Sequence, residues 1–358
     1  MNKKTLYIIG PKISKKAPDG GQVRVYYISK ALESLDCDHV YVDPAAFQSY
    51  KSVIKYAIKD SGFRNMLFSK RNKFIASNGY PINARLINFI SKIATLLYFD
   101  YHDDPKIQFK DLGIKTNTKE IEEVNKNLYS NLGHFRYIGL SSPGLNNFSK
   151  LESNKLINAT NSSDPKHFIK TKLPNKCTVG LIGSTSPGRG AEVLINSCIK
   201  LKKELPKLKL KLALSNIDNR GNLDDLVKKY SKHSWIKFEK VDYSNAPRFI
   251  AKCDVCVIPH KKTLYTDTVL PIKLFDYMAS SRPIVTTNCR ETAKLVKSND
   301  CGIVCRYDEL DLSRKIKMLL TDVDLSTKLA NNGRSAVEKK YNWEKTQKNI
   351  SSILFKVI

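Results

Sequence analysis

Residues 270–285 read LPIKLFDYMASSRPIV, the most specific run of the chain. Ile272 to Ser280 reads as a helix, and Pro283 to Thr287 reads as the strand that follows it. A helix that leads directly into a short apolar strand is one step of a parallel α/β sheet. The helix carries one basic and one acidic residue, Lys273 and Asp276, in a mostly apolar run.

The chain before this stretch repeats the alternation of strand and helix. Thr178 to Gly183 reads as a strand, Ser184 to Gly190 as a loop of small residues, and Ala191 to Leu205 as a helix. Val255 to Pro259 is a further apolar strand. Leu208 to Leu214 carries alternating lysines, so we expect a strand with one exposed side or a place at the edge of the sheet.

The first half of the chain opens in the same way. Thr5 to Gly10 reads as a buried strand, and the pair Gly20-Gly21 precedes a pattern with apolar residues on one helical face. Strand, glycine turn and helix are the beginning of a doubly wound α/β domain. Asp164 to Lys176 is polar and contains two prolines, which indicates a linker. We therefore predict two Rossmann-like domains, residues 1–170 and 171–340, that face each other across a cleft.

The composition is that of a globular protein with a large positive charge. The 358 residues include 61 Lys and Arg against 34 Asp and Glu, so the formal net charge is +27, and 41% of them are hydrophobic. That hydrophobic fraction is enough for ordinary cores and argues against a disordered chain. No apolar run approaches the ~20 residues that cross a bilayer. Because we also see no secretory signal, we expect a cytoplasmic protein.

The eight cysteines are too sparse for a disulfide scaffold. Cys253-x-x-Cys256 and Cys301-x-x-x-Cys305 have no recognisable zinc spacing, and the first pair leads into an apolar strand. We interpret these cysteines as small buried hydrophobic residues and predict no metal site.

The positive charge is concentrated between Lys51 and Lys92, where nine basic residues face the single acid Asp60. Apolar and aromatic side chains are interleaved with these charges. Such a segment suits an anionic membrane surface or acceptor, but it also fits a nucleic-acid backbone or a solvated lysine-rich surface. We expect no nucleic-acid partner, because no helix-turn-helix, zinc-finger or RNP-type signature accompanies the charges.

Two glycine loops follow predicted strands, and the carboxyl ends of parallel strands are where open α/β sheets bind ligands. Gly20-Gly21 would present backbone N–H groups and a helix dipole to an anion, although such a pair is often only a tight turn. In the second loop, Arg189 lies just before a helix. A guanidinium in that place would hold a diphosphate and offset charge on a leaving phosphate, unless it is simply a surface arginine.

Together these segments resemble the GT-B glycosyltransferases of group 1, also called family 4. The stretch 270–285 is similar to the family pattern P-x-K-[LF]-[FL]-E-[YA]-[ML]-A-x-G-[KR]-P-[VI]-V. The Gly20-Gly21 turn resembles the family's N-terminal glycine loop, and Gly183 to Gly190 resembles its G-x-x-x-x-[KR]-G loop. Asn161 to Phe168 is similar to the N-G-x-D-x-x-x-F stretch that precedes the family's linker.

The resemblance implies a nucleotide-sugar site in the second domain. The family's phosphate-binding basic residues fall on Arg189 and Lys273, and its ribose-binding carboxylate falls on Asp276, where most members have Glu. Thr268 stands where the family has a further Glu that contacts the donor sugar, a departure that weakens the expected contact. His260 and Tyr265, which follow the strand ending at Pro259, are candidates to line the donor site. The full set predicted to bind the nucleotide sugar is Gly20, Gly21, Ser184, Arg189, His260, Ile272, Lys273, Leu274 and Asp276.

A second cluster, Asp100 to Pro105, ends a strand of the first domain. The resemblance implies that this segment presents acidic or histidine side chains to the acceptor and the donor sugar. Asp103 is our first candidate for a catalytic residue and His102 our second. If transfer inverts the configuration at C1, one carboxylate should deprotonate the acceptor hydroxyl, and if transfer retains the configuration, these residues would orient the sugar and stabilise positive charge near C1. The alternative is that Asp103 or Asp104 only caps a helix that begins near Pro105.

The predicted fold is therefore α/β of the GT-B type, with a C-terminal helix, residues 341–358, that crosses back to the first domain. Trp343, at the start of that helix, is expected to pack across to the first domain.

The predicted function is transfer of a sugar from a UDP- or GDP-sugar to a membrane-associated, polysaccharide or lipid-linked acceptor, without metal or other cofactor. The protein would be cytoplasmic or peripheral on the inner face of the cell membrane. Two alternatives remain: a non-catalytic GT-B protein that binds nucleic acid or membrane, and a GT-B epimerase or phosphorylase.

Overall fold

A computed structural model describes residues 4–13, 20–68, 72–111, 118–146, 152–186, 188–215 and 223–358. Within these ranges the chain forms two six-stranded sheets, and all the strand pairs in both sheets are parallel. Helices cover the faces of both sheets. The strands Thr5–Ile9, Val255–Ile258 and Ile284–Thr287 are buried along their whole length.

The first sheet belongs to the N-terminal domain. Its strands are β1 Thr5–Ile9, β2 Asp38–Val42, β3 Lys73–Ser77, β4 Thr95–Tyr101, β5 Tyr137–Leu140 and β6 Leu156–Asn158. They are arranged in the order β2-β1-β3-β4-β5-β6. The helices of this domain are α1 Gly20–Glu33, α2 Tyr50–Lys59, α3 Ser61–Phe68, α4 Ile87–Ile93, α5 Pro105–Asp111 and α6 Thr118–His134, with 3-10 turns at Pro44–Phe47, Pro143–Leu145 and Ser153–Lys155.

The second sheet belongs to the C-terminal domain. Its strands are β7 Thr178–Ser184, β8 Lys209–Ser215, β9 Ile236–Phe238, β10 Val255–Ile258, β11 Ile284–Thr287 and β12 Gly302–Cys305. Their order is β12-β11-β10-β7-β8-β9. The helices are α7 Ala191–Lys202, α8 Leu223–Tyr230, α9 Ala246–Ile250, α10 Leu264–Thr268, α11 Ile272–Ala279, α12 Arg290–Ser298, α13 Glu309–Thr321, α14 Val323–Lys339 and α15 Trp343–Leu354.

The alternating lysines of β8 mark an exposed side and not an edge. The strand pairs with β7 on one side and β9 on the other, so the expectation of a possible edge position is wrong. Lys209 is exposed, and Lys211 forms an ion pair of 2.6 Å with Glu239. Alternating polar and apolar residues show which face of a strand meets solvent. Whether a strand lies at the edge of a sheet depends instead on whether it hydrogen-bonds to neighbours on one side or on both.

The C-terminal helix returns to the N-terminal domain, as predicted. Ile350 and Leu354 of α15 are buried in one core cluster with Leu6 of β1 and Ile28 of α1. The ring of Trp343 stacks on Tyr27 of α1, with centroids 4.8 Å apart and an angle of 6° between the planes. No helix in the described ranges is both long and apolar enough to span a bilayer.

Two arginines fix the linker to the C-terminal domain. Arg282 is fully buried and donates hydrogen bonds to the carbonyls of Thr171 (3.0 Å) and Lys172 (3.2 Å). Arg334 on α14 donates to the carbonyls of Phe168 (2.6 Å) and Pro165 (3.2 Å). A buried guanidinium needs several acceptors, and here the backbone of the linker supplies them.

The two segments that cross between the domains are paired with each other. Ser163 and Asn342 form a parallel bridge. The amide of Ser163 donates to the carbonyl of Tyr341 (3.1 Å), and the amide of Trp343 donates to the carbonyl of Ser163 (3.1 Å).

Candidate active site

Three basic side chains meet where β7 and β10 end. Arg189 precedes α7, His260 follows β10, and Lys273 lies in the first turn of α11. The Lys273 ammonium lies close to Gly183 of β7, where a Cβ atom would come within 2.6 Å of it. The sequence-predicted residues Arg189, His260 and Lys273 are therefore brought together.

These three basic side chains, which we call the cationic cluster (Arg189, His260 and Lys273), lack a counter-ion in the part of the chain that the structure describes. Neither Lys273 nor Arg189 pairs with a carboxylate among the described residues. Burial and the nearby Arg189 lower the pKa of Lys273 to about 7. Burial, with Lys273 and Arg189 close by, lowers the pKa of His260 well below its usual range. An anion placed here would relieve this mutual repulsion.

His260 is available to such an anion through its ring. The side chain is 2% exposed, and its Nε2 has no hydrogen-bond partner in the described part of the chain. A buried polar atom without a partner is rare in folded proteins and often marks a site where a ligand supplies the partner.

The glycine loop before α7 is shaped by its contact with β10. Gly188 and Gly190 have φ angles of 78° and 76°, and a Cβ atom on Gly190 would lie 1.7 Å from the carbonyl oxygen of Pro259. Only glycine fits there. Ser184 donates to the hydroxyl of Ser186 (3.1 Å), and the free amides of the first turn of the twelve-residue α7 follow this loop.

Asp276 lies one turn further along α11 than Lys273 and faces the crossing segment. Its Oδ1 accepts a hydrogen bond of 2.7 Å from Ser163, and the residue is only 7% exposed. Burial raises the pKa of Asp276 to about 8, with Asp164 adding to the rise. One oxygen of the Asp276 carboxyl group is thus already engaged by the Ser163 hydroxyl.

The remaining residues that were predicted to bind the nucleotide sugar lie in different parts of the structure. Gly20 and Gly21 open α1, as the sequence indicated. Ile272 packs against the buried cluster of Val23 and Tyr27 on α1, so the starts of α1 and α11 lie on opposite sides of the domain interface. Leu274 is fully buried in the core of the C-terminal domain, and its amide donates to the Pro271 carbonyl. Its side chain therefore packs in the core, and its contact with the donor stays a prediction.

Asp103 reaches the C-terminal domain through Tyr265. The Tyr265 hydroxyl donates a hydrogen bond of 2.9 Å to Asp103 Oδ1, and Gln108 on α5 donates to the same hydroxyl (3.3 Å). The guanidinium of Arg189 lies 5.4 Å from the centroid of the Tyr265 ring. This tyrosine thus connects the acidic end of β4 to the cationic cluster.

His102 lies between two carboxylates at the end of β4. Its Nδ1 is 3.6 Å from Asp100 Oδ2, which is too long for a hydrogen bond, and its side chain is 34% exposed. Asp100 itself is fully buried and is held by Arg24, which donates from Nε (2.9 Å) and Nη2 (2.7 Å). Our reasoning from sequence missed Arg24, although helical spacing from Ile28 places it on the apolar face of α1.

Asp104 is the residue that caps α5. Its Oδ1 accepts from the amide of Lys106 (2.9 Å), and its Oδ2 accepts from the hydroxyls of Tyr101 (2.6 Å) and Tyr129 (2.8 Å). The helix-capping alternative therefore holds for Asp104 and leaves Asp103 and His102 as candidates for chemistry.

Thr268 presents no side chain to a donor sugar. Its hydroxyl donates back to Leu264 within α10 (2.7 Å), and its carbonyl accepts from Ser142 of the N-terminal domain (2.6 Å). In the described ranges, no three His, Cys, Asp or Glu side chains are grouped so that they could hold a metal ion.

A family comparison matches the C-terminal domain. Residues 176–322 match the family model described as Glycosyl transferases group 1, which confirms the resemblance stated from the sequence. This range contains the cationic cluster and Asp276, whereas His102 and Asp103 lie outside it.

Solved structures match over the whole chain and show the GT-B fold. A sucrose-phosphate synthase from Thermosynechococcus elongatus superposes with a TM-score of 0.72 at 15% identity, covering 99% of both chains. HepE of Anabaena, solved in complex with UDP, gives a TM-score of 0.70 at 14% identity, covering 99% of this chain and 100% of that one.

Among curated proteins, the chitobiosyldiphosphodolichol beta-mannosyltransferase of Candida glabrata is 26% identical over 207 residues. The match covers 52% of this chain and 44% of the relative, so it spans less than half the relative's length.

Proposed function

We propose that this chain, which has the GT-B fold and matches the group 1 glycosyl transferases over residues 176–322, is a glycosyltransferase that uses a nucleotide-sugar donor. The observation that carries the proposal is the uncompensated cationic cluster at the ends of β7 and β10. A nucleoside diphosphate has the negative charge that this cluster lacks.

The chemistry of sugar transfer needs such a cluster. When the bond between C1 of the sugar and the diphosphate oxygen breaks, negative charge grows on the diphosphate. Arg189, Lys273 and the amides at the start of α7 can offset that charge without a metal ion. Because the pKa of Lys273 is about 7 in the free protein, a bound diphosphate would restore its full positive charge.

Calorimetric titration with UDP and GDP tests this site. Wild type should bind at least one of them, and Lys273→Met or Arg189→Ala should weaken binding by about tenfold or more, the size expected for one charged hydrogen-bond donor. Lys294→Met removes an exposed lysine of α12 and serves as the matched control. Equal affinities in wild type and Lys273→Met would contradict the proposal.

The donor is a UDP- or GDP-sugar, with Asp276 accepting the ribose hydroxyls. HepE was solved with UDP, and the Candida glabrata relative is by its name a mannosyltransferase, which supports testing both bases. Thermal stabilisation by a panel of nucleotide sugars would identify the donor, because a ligand at 100 times its dissociation constant adds about 2.7 kcal/mol.

The acceptor is lipid-linked or otherwise held at a membrane. The name of the Candida glabrata relative describes a saccharide on a dolichol diphosphate, which supports this class of acceptor. The sequence segment with the concentrated positive charge provides a second line of support, because its folded form combines charge with exposed apolar side chains.

The helices α2 and α3 form this docking face. Tyr50, Ile54 and Ile58 recur at four-residue steps along α2 and are 56%, 63% and 71% exposed, and Phe68 of α3 is 74% exposed. The exposed basic residues Lys51, Lys55, Lys59 and Arg64 lie on the same two helices. Apolar side chains between cations match an anionic bilayer, to which each basic residue adds about 1 kcal/mol of attraction.

Vesicle co-sedimentation tests this face. Wild type should bind vesicles of phosphatidylcholine with roughly 30% phosphatidylglycerol, a composition that mimics an anionic leaflet. It should bind much less to vesicles of phosphatidylcholine alone. The double variant I54S/I58S should lose binding, whereas L310S/M318S, which removes two exposed apolar residues of α13, should keep it. Binding to single-stranded RNA with none to vesicles would favour the nucleic-acid alternative instead.

The non-catalytic alternative is motivated by Thr268, whose side chain turns away from the donor, and by Asp276 in place of Glu. Release of free sugar from a bound nucleotide sugar, followed without acceptor, separates the two. Hydrolysis that disappears in Lys273→Met supports an enzyme, and nucleotide binding without any turnover of donor or acceptor supports a binding protein.

A further inference from the structure

Arg24 and Asp100 form an ion pair inside the N-terminal domain. Arg24 is 2% exposed and Asp100 is 1% exposed, and the guanidinium grips the carboxylate with two hydrogen bonds. The rest of the guanidinium is satisfied by the Ala159 carbonyl (2.7 Å) and the Asn161 side chain (3.0 Å). The Tyr98 hydroxyl also donates to Asp100 (3.1 Å).

Such a pair is not an efficient way to stabilise a core. Desolvation of two charges offsets most of their attraction, and a pair of apolar side chains of similar volume is often as stable. The pair does keep Asp100 ionised: burial opposes ionisation, but Arg24 and His102 outweigh it and lower the pKa of Asp100 to about 2. A permanent buried anion is thus maintained beneath the end of β4.

This anion faces the imidazole of His102. Asp100 Oδ2 lies 3.6 Å from Nδ1, which is buried and has no hydrogen-bond partner among the described residues. Gly79, whose φ is 91°, leaves room for the ring, because a Cβ atom there would come within 2.3 Å of His102 Cε1. Nδ1 is thus the buried nitrogen beside Asp100, whereas the side chain as a whole is 34% exposed.

We propose that Arg24 and Asp100 are positioning residues that hold His102 as the proton acceptor of the transfer reaction, an inference that rests on the proposed function. Nδ1 carries its proton toward Asp100, and Nε2 accepts the proton of the attacking hydroxyl. That oxygen forms the new bond to C1, the bond from C1 to the diphosphate oxygen breaks, and the diphosphate leaves with the electron pair.

The same geometry decides between the two candidates at the end of β4. Asp103 already accepts a hydrogen bond from Tyr265, so one of its oxygens is engaged with the C-terminal domain. His102 has an ionised partner behind it and an exposed edge in front, which is the arrangement of a general base with an orienting carboxylate. His102 thus becomes the catalytic residue, and Asp103 takes part in the contact between domains.

The charged groups that face His102 define its response to pH. Burial and Arg24 lower its pKa, whereas the carboxylates of Asp100 and Asp103 raise it, and the carboxylates prevail so that the pKa is raised. Removing the charge of Asp100 should therefore lower the pKa of His102. Because the base must be unprotonated, the acid limb of the rate profile should then move to lower pH.

Nuclear magnetic resonance of the full chain, with histidine signals assigned by H102N and the exposed control H134N, tests the arrangement without any need for activity. In wild type, His102 should titrate above the usual 6.5 and show the Nδ1–H tautomer when neutral. Asp100→Asn should lower that pKa. An unchanged pKa, or the Nε2–H tautomer in wild type, would overturn the proposal.

Asp100→Asn leaves a buried arginine without a partner and can fail to fold, so the double variant R24M/D100L is measured beside it. Apolar replacement of both partners keeps such cores stable. Hydrolysis of UDP-glucose or GDP-mannose in R24M/D100L should fall about 100-fold or more in kcat, with KM and UDP or GDP affinity little changed. An unchanged kcat in R24M/D100L refutes the positioning role. If the wild-type chain binds neither UDP nor GDP, the proposed function is refuted. The titration of His102 then still tests whether Asp100 orients the imidazole.

Discussion

Tyr265 of the C-terminal domain donates a hydrogen bond of 2.9 Å to Asp103 of the N-terminal domain. The same ring lies against the guanidinium of Arg189, 5.4 Å from its centroid. The amide of Tyr265 also donates to the side chain of Asp111 at the end of α5. Tyr265 therefore connects the segment after β4 to the basic side chains that we propose bind the diphosphate of the nucleotide sugar.

Tyr265→Phe should separate these two contacts. The variant loses the hydroxyl but keeps the ring beside Arg189, so we expect the free energy of unfolding to fall by about 1–2 kcal/mol while UDP or GDP affinity is retained. Tyr265→Ala also loses the cation–π contact and should weaken nucleotide binding. Thermal unfolding and calorimetry measure both effects, and equal nucleotide affinities in the two variants would show that the ring does not position Arg189.

Lys273→Met should stabilise the free protein while abolishing its proposed ligand binding. Folding lowers the pKa of Lys273 from 10.5 to about 7, so the unfolded chain binds more protons between these values. The free-energy cost of burying the Lys273 ammonium in the folded protein is therefore complete below pH 7 and disappears as the pH approaches 10.5. We expect a gain on the order of 2 kcal/mol at pH 6.5 and little at pH 10. Denaturant melts at both pH values check this, and equal gains would argue against a desolvated ammonium.

Asp276→Asn should show the opposite pH dependence. Folding raises the pKa of Asp276 from 3.8 to about 8, so the folded state resists ionisation. The free-energy cost of burying the ionised Asp276 carboxylate is absent below pH 3.8, grows between pH 4 and 8, and is constant above pH 8. Asparagine can still accept from Ser163, so the variant should gain stability at pH 8.5 but not at pH 4. The Lys273→Met melts serve as the control, since the two gains should change in opposite directions with pH.

Trp343→Ala should detach the C-terminal helix from the N-terminal domain. The variant removes a side chain that is 1% exposed and stacks on Tyr27, and large aromatic truncations of this kind cost about 3–5 kcal/mol. Trp235→Ala is the matched control, because Trp235 is only partly buried. The two tryptophans of the chain also allow the transition to be followed by fluorescence in each single variant. Similar losses in both variants would contradict a special role for the α15 contact.

The sequence was most informative where strands are buried and short. Thr5 to Gly10, Val255 to Pro259 and Pro283 to Thr287 were recognisable because both faces of a parallel strand are apolar. Strand β3 escaped recognition because it begins at Lys73 inside the basic segment, where charge obscures the run. The division into two facing domains was predicted from the repeated pattern of strand, glycine loop and helix on either side of a polar linker.

The candidate site was predictable only in part, since its contacts join distant residues. Motif spacing indicated Arg189, Lys273 and Asp276. It could not show that Asp276 meets Ser163, or that Asp100 meets Arg24 across 76 positions of chain, because such contacts depend on tertiary packing. Motif spacing also could not show that the side chain of Leu274, in the same motif, packs in the core of the C-terminal domain.

The pairing of Ser163 with Asn342 means that the domains are not joined by a flexible tether. Both crossings are bonded to each other, and Arg282 and Arg334 anchor the chain immediately beyond. A change in the angle between the domains would therefore move the two crossings together. Ser163 also donates a hydrogen bond to Asp276, so the same movement would change the geometry of that bond. The ribose that we propose binds Asp276 would in turn shift the equilibrium between the domain orientations.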